Sequence, residues 1–297
     1  MFDLAFLLAP TFATFSIGIL LRKTGILDAV AIDALFKIIY NLALPALLLS
    51  VLPFVSLEPG MLLLPLSAII IIMLSAGGAA VSGRLLHLEN KTEGVLFAGS
   101  IIMNLGFVVP FVKSFYGDEG LARLFVFDLP NSLSAYTIAY GFACRSNREG
   151  SIGIVRKIAL SPPVWALMAG IILNLASLRP GPIEAGIINS LSALAIPLLL
   201  LTLGASARFA KVRMKDILAG IGTRMVLGLV AGFMLAALFN LRGLDRAILI
   251  IAASAPAGFN TLTFAAIENL DRDYAASLVT ISMLLSLLLI PILLTIL

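Results

Sequence analysis

The sequence predicts an all-α integral membrane protein of ten transmembrane helices, arranged as two inverted five-helix repeats and broken within the fourth and ninth spans. Three observations predict it. Of 297 residues, 61% are hydrophobic and only 12% charged, against about 25% charged in a soluble domain, so a soluble globular enzyme is excluded. Polar or Gly/Pro-rich breaks cut the chain into ten apolar segments, each near the ~20 residues that a helix needs to cross a bilayer. Finally, prolines and glycines recur between the two halves at one offset, 152 residues.

In chain order the segments are 4–21, 32–52, 61–86, 94–115 and 121–143, then 158–176, 185–207, 217–239, 246–267 and 274–297. The first half is expected over residues 1–144 and the second over 158–297, joined by a polar linker at 145–157. The first segment is read as a span and not as a cleaved signal peptide. Asp3 precedes the apolar run and Arg22 and Lys23 follow it, the reverse of a signal sequence.

Basic residues orient the spans. Thirteen lie in the loops after odd-numbered spans, including Arg22, Lys23, Arg84, Lys91, Arg145 and Arg213, and four in the loops after even-numbered ones, Arg123, Arg179, Arg242 and Arg246. The excess predicts that the odd loops and the linker are cytoplasmic and both termini external, in an inner (plasma) membrane.

The repeat takes Pro10 to Pro162, Gly18 to Gly170, Pro45 to Pro197 and Gly106-Phe107 to Gly258-Phe259. Gly and Pro each make up only about 5–7% of ordinary sequences, so these coincidences carry weight where matching leucines would not. Five spans is an odd number, so the second half enters the membrane upside down. Inverted repeats with paired interrupted helices are the architecture of many secondary carriers. The other prolines serve equally well as tolerated kinks between packed helices.

Spans four and nine each combine Pro, Gly and Asn within seven residues, NLGFVVP at 104–110 and PAGFN at 256–260. Pro110 lacks an N–H and crowds the carbonyl four residues back, which predicts the break of span four there. A break leaves unpaired N–H groups at the start of the second half-helix, a partial positive charge that suits an anion. The candidate substrate-binding residues are therefore Asn104, Gly106, Pro110, Pro256, Gly258 and Asn260. The asparagines supply amide donors, with helix capping as their alternative role, and the glycines allow close backbone approach. Phe107 and Phe259 read as apolar packing.

Asp128, in VFDLPNSLSAY with Pro130 and Asn131 beside it, is the acidic residue best placed inside the membrane. Asp128 and Asn131 are candidates for proton or ion coupling, beside a structural hydrogen-bonding role. Arg224 in span eight is expected to snorkel to an interface, and Lys113 to sit at a solvated helix end. Gly228-x-x-x-Gly232 reads as an intramolecular helix contact.

One cysteine, Cys144, and one histidine, His87, exclude a disulfide framework and a Cys/His metal cluster; His87 reads as a loop residue. HExxH, GxSxG and Walker signatures are absent, so no enzymatic activity, metal or cofactor is expected.

The run NLGFVVP followed by FYGDEGLA (115–122), together with APAGFNT at 255–261 and YNLALPALLLS at 40–50, resembles the auxin efflux carrier family from end to end, in its bacterial type. That family is similar in fold to the bile acid/sodium symporters. The resemblance implies broken helices four and nine that cross at mid-membrane. It implies a scaffold of spans one, two, six and seven, and a transport domain of the other six that moves by an elevator-type shift. By motif match it also implies substrate contact at Asn104 and, less directly, at Asn260. The long loop of the plant auxin exporters is missing, so a small carboxylate is the expected substrate and the regulation carried by that loop is not. The expected partners are a small organic anion and the lipid bilayer, with coupling H+ or Na+ and a homodimer left open and no nucleic acid. A Na+- or H+-coupled carrier of another substrate class and a non-transporting membrane sensor are the rival readings.

Overall fold

The computed structural model describes residues 2–56, 58–139 and 161–297, which are all-helical apart from one isolated backbone bridge. The linker 145–157 and Cys144 lie outside the described residues. Among the described residues, five helices are long and apolar enough to cross a membrane: Ala29–Phe54, Gly60–Leu85, Pro182–Ser206, Met214–Leu238 and Arg272–Ile296. Large apolar side chains point outward from them and from their neighbours. Trp165, Ile172, Met73, Met234 and Leu238 are all more than half exposed, as expected of a surface solvated by lipid and not by water.

The helices form two compact units, each drawing on both halves of the sequence. The first comprises Met1–Pro59, Val109–Phe125 and Ala159–Ala207. It contains α1 (Phe2–Lys23), α2 (Ala29–Ile38), α3 (Leu44–Val51), α7 (Pro162–Leu175), α8 (Pro182–Ser192) and α9 (Ala195–Ser206). Asp28 caps α2 by accepting the Ala31 N–H at 2.7 Å. A π turn, Ile39–Ala43, leads into α3, and a 3-10 turn, Leu52–Phe54, leads out. Pro162 opens α7, where its missing N–H has no helical partner to lose, while Pro45 lies inside the continuous helical run Ala29–Phe54, just after the π turn. Pro10 lies well inside α1.

Close contacts in this unit run through small residues. A side chain on Gly18 would strike the Leu201 carbonyl oxygen, and one on Gly204 would strike that of Phe15, so α1 and α9 meet backbone to backbone. Gly170 of α7 lies in the same way against the Leu52 side chain. Asn174 of α7 donates to the Leu52 and Val55 carbonyls, both at 2.7 Å, satisfying oxygens freed where α3 ends. Overpacking of this kind costs about 1–3 kcal/mol, so Gly204→Leu is expected to lower the thermal unfolding midpoint by about 5 °C. An unchanged midpoint would refute the close approach.

The second unit comprises Gly60–Val108, Val126–Ile158 and Arg208–Leu297. It holds α4 (Leu63–Leu85), α5 (Asn90–Ile101), α10 (Met214–Ile221), α11 (Leu227–Leu238), α12 (Gly243–Ala253), α13 (Asn260–Ile267) and α14 (Arg272–Ile296). A π turn, Gly222–Val226, joins α10 to α11. Side chains on Gly228 and Gly232 would both run into Ala253 of α12, so the GxxxG motif packs within the molecule. Tyr274 donates from its hydroxyl to the Asp216 carbonyl at 2.8 Å, and Thr92 to the Asp271 carboxylate at 2.8 Å.

Helix α6 (Leu105–Ser134) contributes to both units and is interrupted at Gly117 (φ 61°, ψ −149°), a left-handed conformation that glycine adopts without penalty. This interruption is the turn expected between spans four and five. Beside it Lys113 pairs with Asp118. His87 is exposed in its loop at φ 49°.

Candidate functional site

The breaks of spans four and nine lie in the second unit and meet. Helix α5 stops at Ile101 and α6 starts at Leu105; α12 stops at Ala253 and α13 starts at Asn260. Between them Met103 and Ala257 form an antiparallel bridge. The Asn104 N–H donates to the Pro256 carbonyl at 2.8 Å, and the Gly258 N–H donates to the Ile102 carbonyl at 2.8 Å. Backbone that leaves a helix inside a membrane has no water to turn to, and here each break supplies the other's partners. Gly258 is required at this point because a Cβ there would collide with the Ile102 side chain.

Side chains brace both strands of the bridge. Asn131 accepts the Met103 N–H at 2.8 Å through its amide oxygen and returns a bond from its amide nitrogen to the Met103 carbonyl at 3.1 Å. Asp128 fixes that amide, accepting from Asn131 at 2.7 Å and from Ser132 at 2.9 Å. On the other strand the Ser282 hydroxyl accepts the Ala257 N–H at 3.1 Å and donates to Val279 at 3.0 Å. Asp128 and Asn131, one helical turn apart, thus act together behind Met103.

Arg224 corrects the expectation that it snorkels. It is 0% exposed, and its two terminal nitrogens donate to the Ser100 carbonyl at 2.9 Å and the Ala253 carbonyl at 2.8 Å. The physical reason lies in the breaks. In a continuous helix those carbonyls would accept from the residues four further on, Asn104 and Ala257. Those N–H groups are instead bonded to Pro256 and Ser282, so two carbonyls are left over, and the guanidinium takes both. The π turn that carries Arg224 also presents Thr223, whose hydroxyl lies 2.6 Å from that of Ser100.

Asn104 sits at the N-cap of α6, its amide oxygen accepting the Phe107 N–H at 3.2 Å. Its amide nitrogen is buried and has no partner; the residue is 7% exposed. The Thr261 hydroxyl in the first turn of α13 is likewise buried and unpartnered. Asn260 opens α13 half-buried, and Gly106 lies half-buried in the first turn of α6. Two helix N-termini and two unpaired donors therefore adjoin the bridged breaks, a setting that favours a negatively charged or hydrogen-bond-accepting ligand.

Asn104, Pro256 and Gly258 thus lie in the bridge itself, with Gly106 and Asn260 just beyond it. Pro110 does not break span four as expected. It is a buried residue in the second turn of α6, and the helix is interrupted instead at 102–104, where the backbone bonds of the second break capture it. Phe107 is fully buried, in keeping with apolar packing. Sequence reasoning missed Ser282, Thr261 and Thr223, because a hydroxyl in an apolar span carries no signal of its own. Arg224 did carry one: a guanidinium at mid-span calls for a buried partner.

The sequence pattern of the membrane transport protein family matches residues 5–294. An uncharacterized transporter of Methanothermobacter thermautotrophicus is 28% identical over 281 residues, covering 93% of this chain and 92% of its own. A second uncharacterized transporter, from Methanocaldococcus jannaschii, is 27% identical over 214 residues, covering 70% of this chain and 69% of its own. With that match along nearly its whole length, the chain is a multi-pass membrane transport protein of the auxin efflux carrier family.

Proposed function

We propose that the protein is a secondary carrier of small organic anions, mono- or dicarboxylates, that binds its substrate against the paired breaks. The observation that carries this reading is the unpartnered amide nitrogen of Asn104, buried at the start of α6. A buried donor left open is unfavourable by about 1–3 kcal/mol, and a carboxylate oxygen is the partner that the adjoining helix N-termini also favour. Asn260 and the Thr261 hydroxyl offer further donors, Gly106 lies beside them in the first turn of α6, and Gly258 and Pro256 hold the two breaks together through their backbone bonds.

The architecture we infer is ten spans in two inverted five-helix repeats, 1–144 and 158–297, with spans four and nine broken and crossing. It is supported by the pairing of α1 with α9 and of α7 with α3 and its following turn. First span on seventh and sixth on second is the exchange that a two-fold repeat requires. Alternating access then follows by an elevator-type movement. The basic-residue census supports a cytoplasmic linker at 145–157 and external termini in the plasma membrane.

A second reading, proton coupling at Asp128, has its own support. Both Asp128 oxygens accept hydrogen bonds. Protonation turns one acceptor into a donor, breaks a bond to Asn131 or Ser132 and loosens the brace on Met103. Reconstituted liposomes test both readings. Labelled malonate, malate and acetate are offered with and without a pH gradient. At least one is expected to accumulate, and Asp128→Asn is expected to abolish any response to the gradient. Failure of every carboxylate across the panel would overturn the carrier reading and favour a sensor.

A further inference from the structure

The paired breaks leave a charge to be balanced at the ends of α5 and α12, opposite in sign to the one that attracts substrate. Each helix C-terminus carries about half a negative charge, so two of them together present about one negative charge, backed by carbonyls that have lost their helical partners. Half-helix C-termini of this kind in secondary transporters coordinate Na+. Here a residue of the chain meets both. Arg224 is 0% exposed, one guanidinium nitrogen is 2.9 Å from the Ser100 oxygen and another 2.8 Å from the Ala253 oxygen. Among the described residues it has no carboxylate partner, so its positive charge is set against the helix ends alone. Gly228 leaves room for it, since a Cβ there would overlap both its terminal nitrogen and the Ala253 carbonyl.

We propose that Arg224 is a built-in cation of the paired breaks, holding α5 and α12 together in place of a bound alkali cation. Its presence makes this carrier's fold and site independent of Na+. The inference rests on the reading of these breaks as the substrate crossing. It also says what removal of the guanidinium leaves: a buried hole bordered by the two freed carbonyls of Ser100 and Ala253. Oxygen ligands without a fixed charge suit a hard cation. Losing the arginine should therefore convert a cation-indifferent protein into one that binds Na+ or Li+.

The test uses the purified full chain in detergent, with its unfolding midpoint and the binding of radiolabelled sodium measured in NaCl, LiCl, KCl and choline chloride at equal ionic strength. Wild type is expected to show one midpoint in all four salts and no saturable sodium binding. Arg224→Ala and Arg224→Gln are expected to lose about 5 °C in choline, to recover part of it in NaCl or LiCl, and to bind sodium saturably. Arg224→Lys, which keeps a charge able to donate to both carbonyls, should stay cation-indifferent. Saturable sodium binding by wild type overturns the proposal, as do folded neutral variants that respond to no cation. If neither neutral variant folds, wild type decides with Arg224→Lys: sodium binding by either overturns the proposal, and its absence from both upholds it. No transported substrate enters the measurement, so its failure is separate from a failure of any carboxylate to move.

Discussion

Asn104→Ala is expected to reduce carboxylate transport at least about tenfold. The amide nitrogen, buried without a protein partner, would otherwise donate to a charged oxygen, and such a bond contributes about 1.5–3 kcal/mol, with each ~1.4 kcal/mol worth a factor of ten. Alanine also removes the cap that holds the Phe107 N–H, which costs about 1 kcal/mol of stability. Two further substitutions separate the roles. Asn104→Asp keeps a good capping oxygen while exchanging the donor for a negative charge, so it should leave the unfolding midpoint near wild type and abolish transport by repulsion. Asn104→Ser keeps the cap and shortens the reach, so it should weaken transport without destabilising. Initial rates in liposomes, normalised to protein that elutes as a single species, provide the measurement. Full transport by Asn104→Asp would remove Asn104 from the site.

Gly258→Ala has the second large expected effect, on the fold of the site. A Cβ at this position collides with the Ile102 side chain beside the carbonyl that the Gly258 N–H must reach. The bridge then separates or Ile102 moves. Overpacking of this order costs about 1–3 kcal/mol, and loss of the Gly258–Ile102 bond adds about 1 kcal/mol. Shortening the opposing side chain should relieve the clash, so the Gly258→Ala/Ile102→Ala double variant is expected to be more stable than the two single changes would give in sum. Thermal unfolding of the four proteins closes the cycle. Additive losses would mean that the two residues do not oppose each other.

Several features were legible without coordinates because they depend on local chemistry. The apolar spans, the turn at Gly117 and the paired NLG and AGFN segments follow from composition and from what Pro, Gly and Asn do to a helix. Membership of a transporter family was equally legible, since its motifs are contiguous. The position of the span-four break was not. Pro110 is the local signal for it, yet the helix tolerates Pro110 and opens at 102–104, because the Asn104 N–H finds a better partner in Pro256, 152 residues away.

The same reason divides the site as a whole. Residue types announced amides at 104, 131 and 260, an acid at 128 and a guanidinium at 224, but not the partners of any of them. Only tertiary structure decided that Asp128 orients Asn131 against Met103, that Ser282 holds Ala257, and that Arg224 is buried against two carbonyls and not drawn out to an interface. A broken helix frees backbone groups whose partners come from other spans. The pairing of those groups is a long-range property, which no stretch of twenty residues contains.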